Sequence, residues 1–137
     1  MIKVWKINKT VLPQHSDHAG VMWHGTYFKW LEEGRLNALS KAGLNYFDLT
    51  KKGFELPLIN SSINYILPLY LGDNIQIESI FNISKSPKIN VQSKFLNKDR
   101  HVLTIAEVNI VLVKKLNLSI VRKRPEFISK AFSKLNK

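Results

Sequence analysis

Only one long stretch of this chain has helical periodicity, and segments that read as strands lie on both sides of it. From about Gly25 to Ala42 the apolar positions Tyr27, Phe28, Leu31, Ala38, Leu39 and Ala42 recur at helical spacing. Lys29, Glu32, Glu33, Asn37 and Lys41 occupy the other side, and Gly43 stands where a helix-terminating glycine belongs. A single amphipathic helix must bury its stripe against something else, and the rest of the chain has the pattern of a sheet.

Residues 2–12 read as a first strand ending at Pro13, and residues 14–23 as a loop of His, Asp, Gly and Ser without periodicity. After the helix, residues 46–52 fit one short helix closed by Gly53, and strands follow to about residue 116. Ile75, Ile77, Phe81 and Ile83 alternate with polar neighbours, as do Ile89, Val91 and Phe95, so each run has one buried face. Residues 102–113 are apolar on both faces, which predicts a central strand. The Lys85-Ser86-Pro87-Lys88 and Asn97-Lys98-Asp99-Arg100 stretches supply turns, Leu67-Pro68 with Gly72-Asp73 supplies another break, and Pro125 to Leu135 fits a terminal helix.

The expected fold is therefore α+β, a helix packed on one face of an antiparallel sheet. With 137 residues and no repeat, low-complexity tract or linker, one domain spanning 1–137 is expected. The uncovered sheet face and the two-sided apolar run near residue 108 predict self-association.

Composition narrows the chemistry. Cysteine is absent, which excludes a disulfide framework, a thiolate nucleophile and a cysteine-ligated metal. No segment approaches the roughly 20 apolar residues that cross a bilayer. The opening Met1-Ile2-Lys3-Val4-Trp5-Lys6-Ile7 alternates lysine with apolar residues, unlike a signal peptide, so a soluble cytoplasmic protein without membrane attachment is expected. A formal charge of +11, from 21 Lys and Arg against 10 Asp and Glu, favours anionic partners without choosing among them. Nucleic acid is supported by charge alone, since the basic residues are spread along the chain and no recognised binding motif is present.

The informative segment is His15-Ser16-Asp17-His18-Ala19-Gly20-Val21-Met22-Trp23-His24-Gly25-Thr26-Tyr27, three histidines and a carboxylate just before a helix N-terminus. Three readings compete. His15, Asp17, His18 and His24 all offer metal-ligand atoms, but their spacing fits no motif with a known mechanism. The same side chains can cap the helix and hydrogen-bond the loop. Alternatively, a carboxylate close to unsatisfied backbone N–H groups can attack, or activate water against, a carbonyl whose oxygen those groups hold.

Asp17-x-x-Gly20-Val21-x-x-His24-x-x-Tyr27-x-x-Trp30-x-Glu32-x-x-Arg35 resembles the signature of the 4-hydroxybenzoyl-CoA thioesterase branch of the hotdog superfamily. Further matches follow in order: Gly43-Leu44, Pro57, and Tyr65-x-x-Pro68-x-x-x-Gly72-Asp73. The resemblance spans roughly residues 4–125. It implies a long central helix wrapped by an antiparallel sheet, with two protomers pairing edge to edge, active sites at their interface, and dimers that can pair again into tetramers. It also implies hydrolysis of an acyl-CoA by the catalytic residues Asp17, as nucleophile or general base, and His24, through its backbone N–H, with no metal and no bound cofactor. Gly25 and Tyr27, beside His24, are the candidate substrate contacts at the helix start, although Tyr27, Trp30 and Leu31 at helical spacing read first as core.

Lys85 and Lys88 correspond in position to a basic hairpin that meets the coenzyme A phosphates in relatives, while a solvated turn is the plain alternative. Glu32 and Arg35, three apart, read as a helix-surface pair. Glu32 and Glu33 remain the rival carboxylates, because related thioesterases take theirs from the helix. One departure stands out: many relatives carry a further aspartate two residues before the catalytic one, and here that position is His15. The competing expectations are hydrolysis of acyl groups on acyl carrier protein and non-catalytic binding of acyl groups or CoA. Aromatic, dihydroxynaphthoyl, short-chain and long-chain acyl groups all occur in the superfamily.

Overall fold

The computed structural model describes residues 2–137. In chain order the elements are β1 (Trp5–Thr10), α1 (His24–Lys41), α2 (Tyr46–Lys51), β2 (Phe54–Glu55), β3 (Leu58–Tyr65), β4 (Asn74–Ile83), β5 (Lys88–Leu96), β6 (Val102–Val111), β7 (Val113–Lys114) and α3 (Glu126–Leu135). Five strands form one antiparallel sheet in the order β1-β4-β5-β6-β3. β2 and β7 make a small separate ribbon. The expected hotdog arrangement, a long helix held against an antiparallel sheet, is present.

Alternation positions the core. On β4 and β5 the odd-numbered residues Ile75, Ile77, Phe81, Ile89, Val91 and Phe95 are buried toward α1, and their even-numbered neighbours face outward. Ser79 and Ser93 fall in the same inward row and satisfy each other by a 2.7 Å hydroxyl hydrogen bond. From the helix, Tyr27, Trp30, Leu31, Ala38 and Leu39 meet this layer, with Tyr27 and Trp30 stacked near Phe95 at centroid separations of 5.5 and 6.3 Å. Phe28 departs from the expected stripe and stays exposed on the flank of α1. Gly43 takes φ = +102° just beyond the helix, the left-handed conformation that the sequence position predicted.

Two features differ from the sequence reading. β6 is an interior strand but not the middle one; it lies between β5 and the edge strand β3, and it is buried on both faces at Leu103–Thr104 and again from Val108 onward, with Ile105 and Glu107 exposed between. The outer sheet face is polar, not apolar. Asn82, Asn90, Asn109 and Asn60, one on each of β4, β5, β6 and β3, form a side-chain row across it, each Nδ2 donating to the next Oδ1 at 2.9, 3.1 and 2.7 Å.

The terminal helix α3 lies on the same side of the sheet as α1 and buries Ile128, Ala131, Phe132 and Leu135. Its end is fixed by Asn136, whose side chain exchanges two 2.9 Å hydrogen bonds with the Ile83 backbone, and by Trp5 Nε1 donating to the Leu135 carbonyl at 3.0 Å.

Candidate active site

The Asp17 loop is a small, closely bonded structure. The Asp17 N–H donates to the Val21 carbonyl at 2.8 Å and the Gly20 N–H to the Asp17 carbonyl at 3.1 Å, a turn that Gly20 permits with φ = +76°. Asp17 Oδ1 accepts the N–H groups of Ala19 at 2.8 Å and Val21 at 3.3 Å. One carboxylate oxygen thus fixes the loop, and Oδ2 takes no protein hydrogen bond among the described residues, on a side chain exposed to solvent. The loop is tied to the segment before β4 through Met22 N–H to the Leu69 carbonyl and Leu71 N–H to the Gly20 carbonyl.

His15 joins this loop to the helix. Its carbonyl accepts the Trp23 N–H at 2.8 Å and the Thr26 hydroxyl at 3.2 Å. Its Nδ1 accepts the Leu12 N–H at 3.0 Å, and its ring lies edge-on to Trp30 at 5.3 Å. His15 thus ties the loop to the helix start through its backbone, while its side chain bonds the Leu12 N–H. His18, at the tip of the turn, is exposed.

α1 begins at His24 after Trp23, a residue with no side chain able to cap the helix. The N–H groups of His24 and Gly25 therefore have no acceptor among the described residues, while that of Thr26 bonds back to the Trp23 carbonyl at 3.0 Å. Unclaimed N–H groups at a helix start carry partial positive charge and suit an oxyanion. Gly25 has a second reason to be glycine: a Cβ there would overlap the six-membered ring of Trp23. The Trp23 indole lies across the first turn, about half exposed, with the His24 ring at 5.0 Å and Lys29 Nζ 5.9 Å from its centre.

The other candidates separate clearly. Tyr27 is 3% exposed and packs edge-on to Tyr65 at 4.8 Å, and burial raises the pKa of its phenol. Glu33 is taken by Lys9 in a 2.7 Å surface ion pair. Glu32 and Arg35 make no ion pair within 4.0 Å; Arg35 turns inward, and burial lowers its pKa while nearby Glu32 opposes the shift. Among the described residues no three His, Asp or Glu side chains gather as a metal site, and no helix is long and apolar enough to cross a membrane.

Lys85 and Lys88 sit exposed in the β4–β5 turn. That turn is held from outside: Arg124 donates to the carbonyls of Ser84 and Ser86 at 2.8 and 2.7 Å, and its guanidinium, pKa lowered by burial, lies 5.2 Å from the Phe132 ring. Arg122 and Lys123, both exposed, precede Arg124 in the chain. Neither contact was legible in the sequence: Arg124 is 38 to 40 residues from its partners, and Trp23 falls at a position left open in the motif.

Comparison with known proteins agrees with this architecture. Over 134 residues the chain is 27% identical to a candidate esterase of Synechocystis, covering 97% of this chain and 81% of that protein. A 1,4-dihydroxy-2-naphthoyl-CoA hydrolase of Prochlorococcus marinus is 25% identical over 132 residues, covering 90% and 81%. The crystal structure of a 1,4-dihydroxy-2-naphthoyl-CoA thioesterase from Synechocystis superposes with a TM-score of 0.86 at 17% identity, over 96% of each chain. The model of the Thioesterase-like superfamily matches residues 11–132, and the chain belongs to that superfamily.

Proposed function

We propose that this protein is an acyl-CoA thioesterase whose substrates carry aromatic acyl groups, in the manner of the 4-hydroxybenzoyl-CoA branch of hotdog enzymes. The observation that carries the mechanism is the division of labour at the Asp17 loop: Oδ1 is committed to the loop, while among the described residues Oδ2 has no partner, and the His15 carbonyl ties the loop to a helix whose first two N–H groups have no acceptor among those residues. Asp17 Oδ2 engages the thioester carbon or the water that attacks it. The N–H groups of His24 and Gly25 receive the charge that grows on the carbonyl oxygen, and collapse of the tetrahedral intermediate expels the CoA thiolate. With Asp17 as base, the proton it took from water passes to the thiolate and the free acid forms directly. With Asp17 as nucleophile, a mixed anhydride remains that a water then hydrolyses, supplying the proton and freeing the acid. Lys85 and Lys88, on the turn braced by Arg124, meet the CoA phosphates as point charges. Superfamily membership and the likeness to a relative that is a 1,4-dihydroxy-2-naphthoyl-CoA hydrolase support the substrate class.

A single-domain chain acting in the cytoplasm as a homodimer, able to pair again into a tetramer, completes the proposal. β3 is a terminal strand with Leu58, Ile59 and Tyr65 exposed along it, the kind of edge that a second copy covers. The test is a panel of aromatic and aliphatic acyl-CoAs, with the same acyl groups on acyl carrier protein, assayed by thiol release. Turnover of aryl-CoA at least tenfold above the aliphatic and carrier-protein substrates is expected; no release from any aryl-CoA would refute the reading. Light scattering at micromolar concentration is expected to give at least a dimer, and Ile59→Lys on the edge is expected to shift it toward monomer.

A further inference from the structure

Toward the C-terminal half of α1 lies a cavity of about 230 Å³ that the Asp17 chemistry does not use. Its walls are apolar: Leu39 from α1, Phe81 and Ile89 from the sheet, Phe132 and Leu135 from α3, all at most 3% exposed. Three polar side chains reach it, Glu32, Arg35 and Tyr46. The Tyr46 hydroxyl is already bonded to Glu55. Arg35 is different, because among the described residues its guanidinium has neither an ion pair nor a hydrogen bond. Glu32, which also lines the cavity, acts on Arg35 through charge but makes no ion pair with it within 4.0 Å. The partly desolvated guanidinium therefore still has N–H groups without an acceptor among the described residues, an unfavourable state that an anion in contact would relieve.

The occupant that answers both features has an apolar body and one anionic end. An apolar cavity of roughly 150 Å³ is enough to hold benzene, so this one has room for a single substituted aromatic ring. A guanidinium meets a carboxylate through two parallel N–H···O bonds, and such charge-assisted pairs are the strong ones. Arg35 is eleven positions beyond His24, about 16 Å along a helix. An aryl group seated here therefore cannot have its carbonyl on the N–H groups of the same protomer's helix start.

We propose that this cavity is a binding site for small aromatic carboxylates, with the ring between Phe81 and Phe132 and the carboxylate on Arg35, separate from the Asp17 site of the same chain. The inference deepens the proposed function, on which it rests for the source of the ligand, since hydrolysis of an aryl-CoA releases an acid of this class. A thioester lacks the anionic oxygens that Arg35 would bind, so the cavity distinguishes product from substrate by charge.

The test uses benzoate and its neutral isostere benzamide as probes, titrated calorimetrically against the full chain without any thioester present. Saturable binding of one benzoate per chain is expected, equal in the wild type and in Asp17→Asn, with benzamide at least tenfold weaker. Arg35→Met is expected to weaken benzoate at least tenfold and leave benzamide unchanged. Leu135→Phe, which fills the cavity without touching Arg35, is expected to abolish binding of both while aryl-CoA hydrolysis persists, and a cooperative melt shows that each variant is folded. Absence of saturable benzoate binding, equal affinity for benzamide, or full binding in folded Leu135→Phe would each overturn the site. Absence of aryl-CoA turnover with benzoate binding intact would overturn the proposed function and leave the carboxylate site supported.

Discussion

The carbonyl oxygen of His15 accepts the N–H of Trp23 at 2.8 Å, so the loop that carries Asp17 is bonded to the residue immediately ahead of α1. This tie belongs to the backbone, and it survives any change of the His15 side chain. The side chain adds only the Leu12 N–H bond to Nδ1 and the edge contact with Trp30. Loss of His15 to Ala should therefore cost about 1 kcal/mol of stability, the scale of one net hydrogen bond, and lower kcat by less than about tenfold. Asp17→Asn keeps the shape and removes the charge. It should lower kcat by about two or more orders of magnitude with KM and melting temperature little changed. Steady-state kinetics and thermal melts on both variants check the ranking, and comparable losses in the two would contradict it.

Gly25 and Trp23 form the second test. A methyl at residue 25 overlaps the indole, so Gly25→Ala must displace the ring or the first turn, and kcat should fall about tenfold or more. Trp23→Ala alone removes the ring and leaves the helix start open. In the double variant Gly25→Ala with Trp23→Ala the overlap is gone, and activity should return to that of Trp23→Ala. A double variant no better than Gly25→Ala would place the defect in the backbone and not in the ring. The cycle measures the coupling directly, since the two residues are in contact.

Arg124 braces the turn bearing Lys85 and Lys88 by two bonds to backbone carbonyls. Reversing both lysines to Glu should raise KM for acyl-CoA by about tenfold and largely spare kcat, because a remote phosphate contact binds ground and transition states alike. Arg124→Ala should raise KM in the same direction with both lysines intact. Raised salt should reproduce part of the effect on KM. Unchanged KM in the charge-reversed variant would return the turn to a solvated hairpin.

The alkaline limit of stability follows from two phenols. Burial raises the pKa of Tyr27 and Tyr46, and for Tyr46 the hydrogen bond to and charge of Glu55 add to it. Folded pKa values above the unfolded value of about 10 mean that the native state holds these protons more tightly. Their stabilisation is fully present below about pH 10 and is lost as pH rises through the folded values. Thermal melts across this range should show stability falling above about pH 10, with a shallower fall in Tyr46→Phe. An equally steep fall in that variant would assign the loss elsewhere.

Much of the frame was legible in the chain because local rules and burial agree there. The 3.6-residue stripe of α1, the alternation on β4 and β5, and glycines at positions 43 and 53 each state one structure in a few adjacent residues. What was not legible depends on distant partners. The rank of β6 in the sheet is set by where β3 pairs, and the covering of the sheet by α3 depends on Asn136 meeting Ile83, 53 residues away. In the candidate site, the residues alone left Asp17 open among ligand, cap and catalyst, and the resemblance singled it out, whereas the work of His15 was not legible either way. A histidine in such a loop fits ligand, acid or tie equally well, and only the bond from the Leu12 N–H distinguishes them. Arg35 reads on the helix as a partner for Glu32; that it turns inward is decided by the space between α1 and α3.

The asparagine row on the outer sheet face bears on how this sequence can change over time. Asn109 is 9% exposed and gives its donor to Asn60 while accepting from Asn90. Replacing it alone removes a partner from both neighbouring strands, although Asn90 Nδ2 keeps its 2.9 Å bond to Glu107 and the exposed Asn60 can turn to water. Replacing an adjacent pair together by apolar residues removes the partnerless groups along with the bonds. Drift at these positions is therefore coupled, so that the acceptability of a substitution on one strand depends on the residue already present on the next. Asn82 and Asn60, at the two ends of the row, are the members whose loss disturbs one neighbour only, and they are the points from which a lineage could dismantle the row one residue at a time.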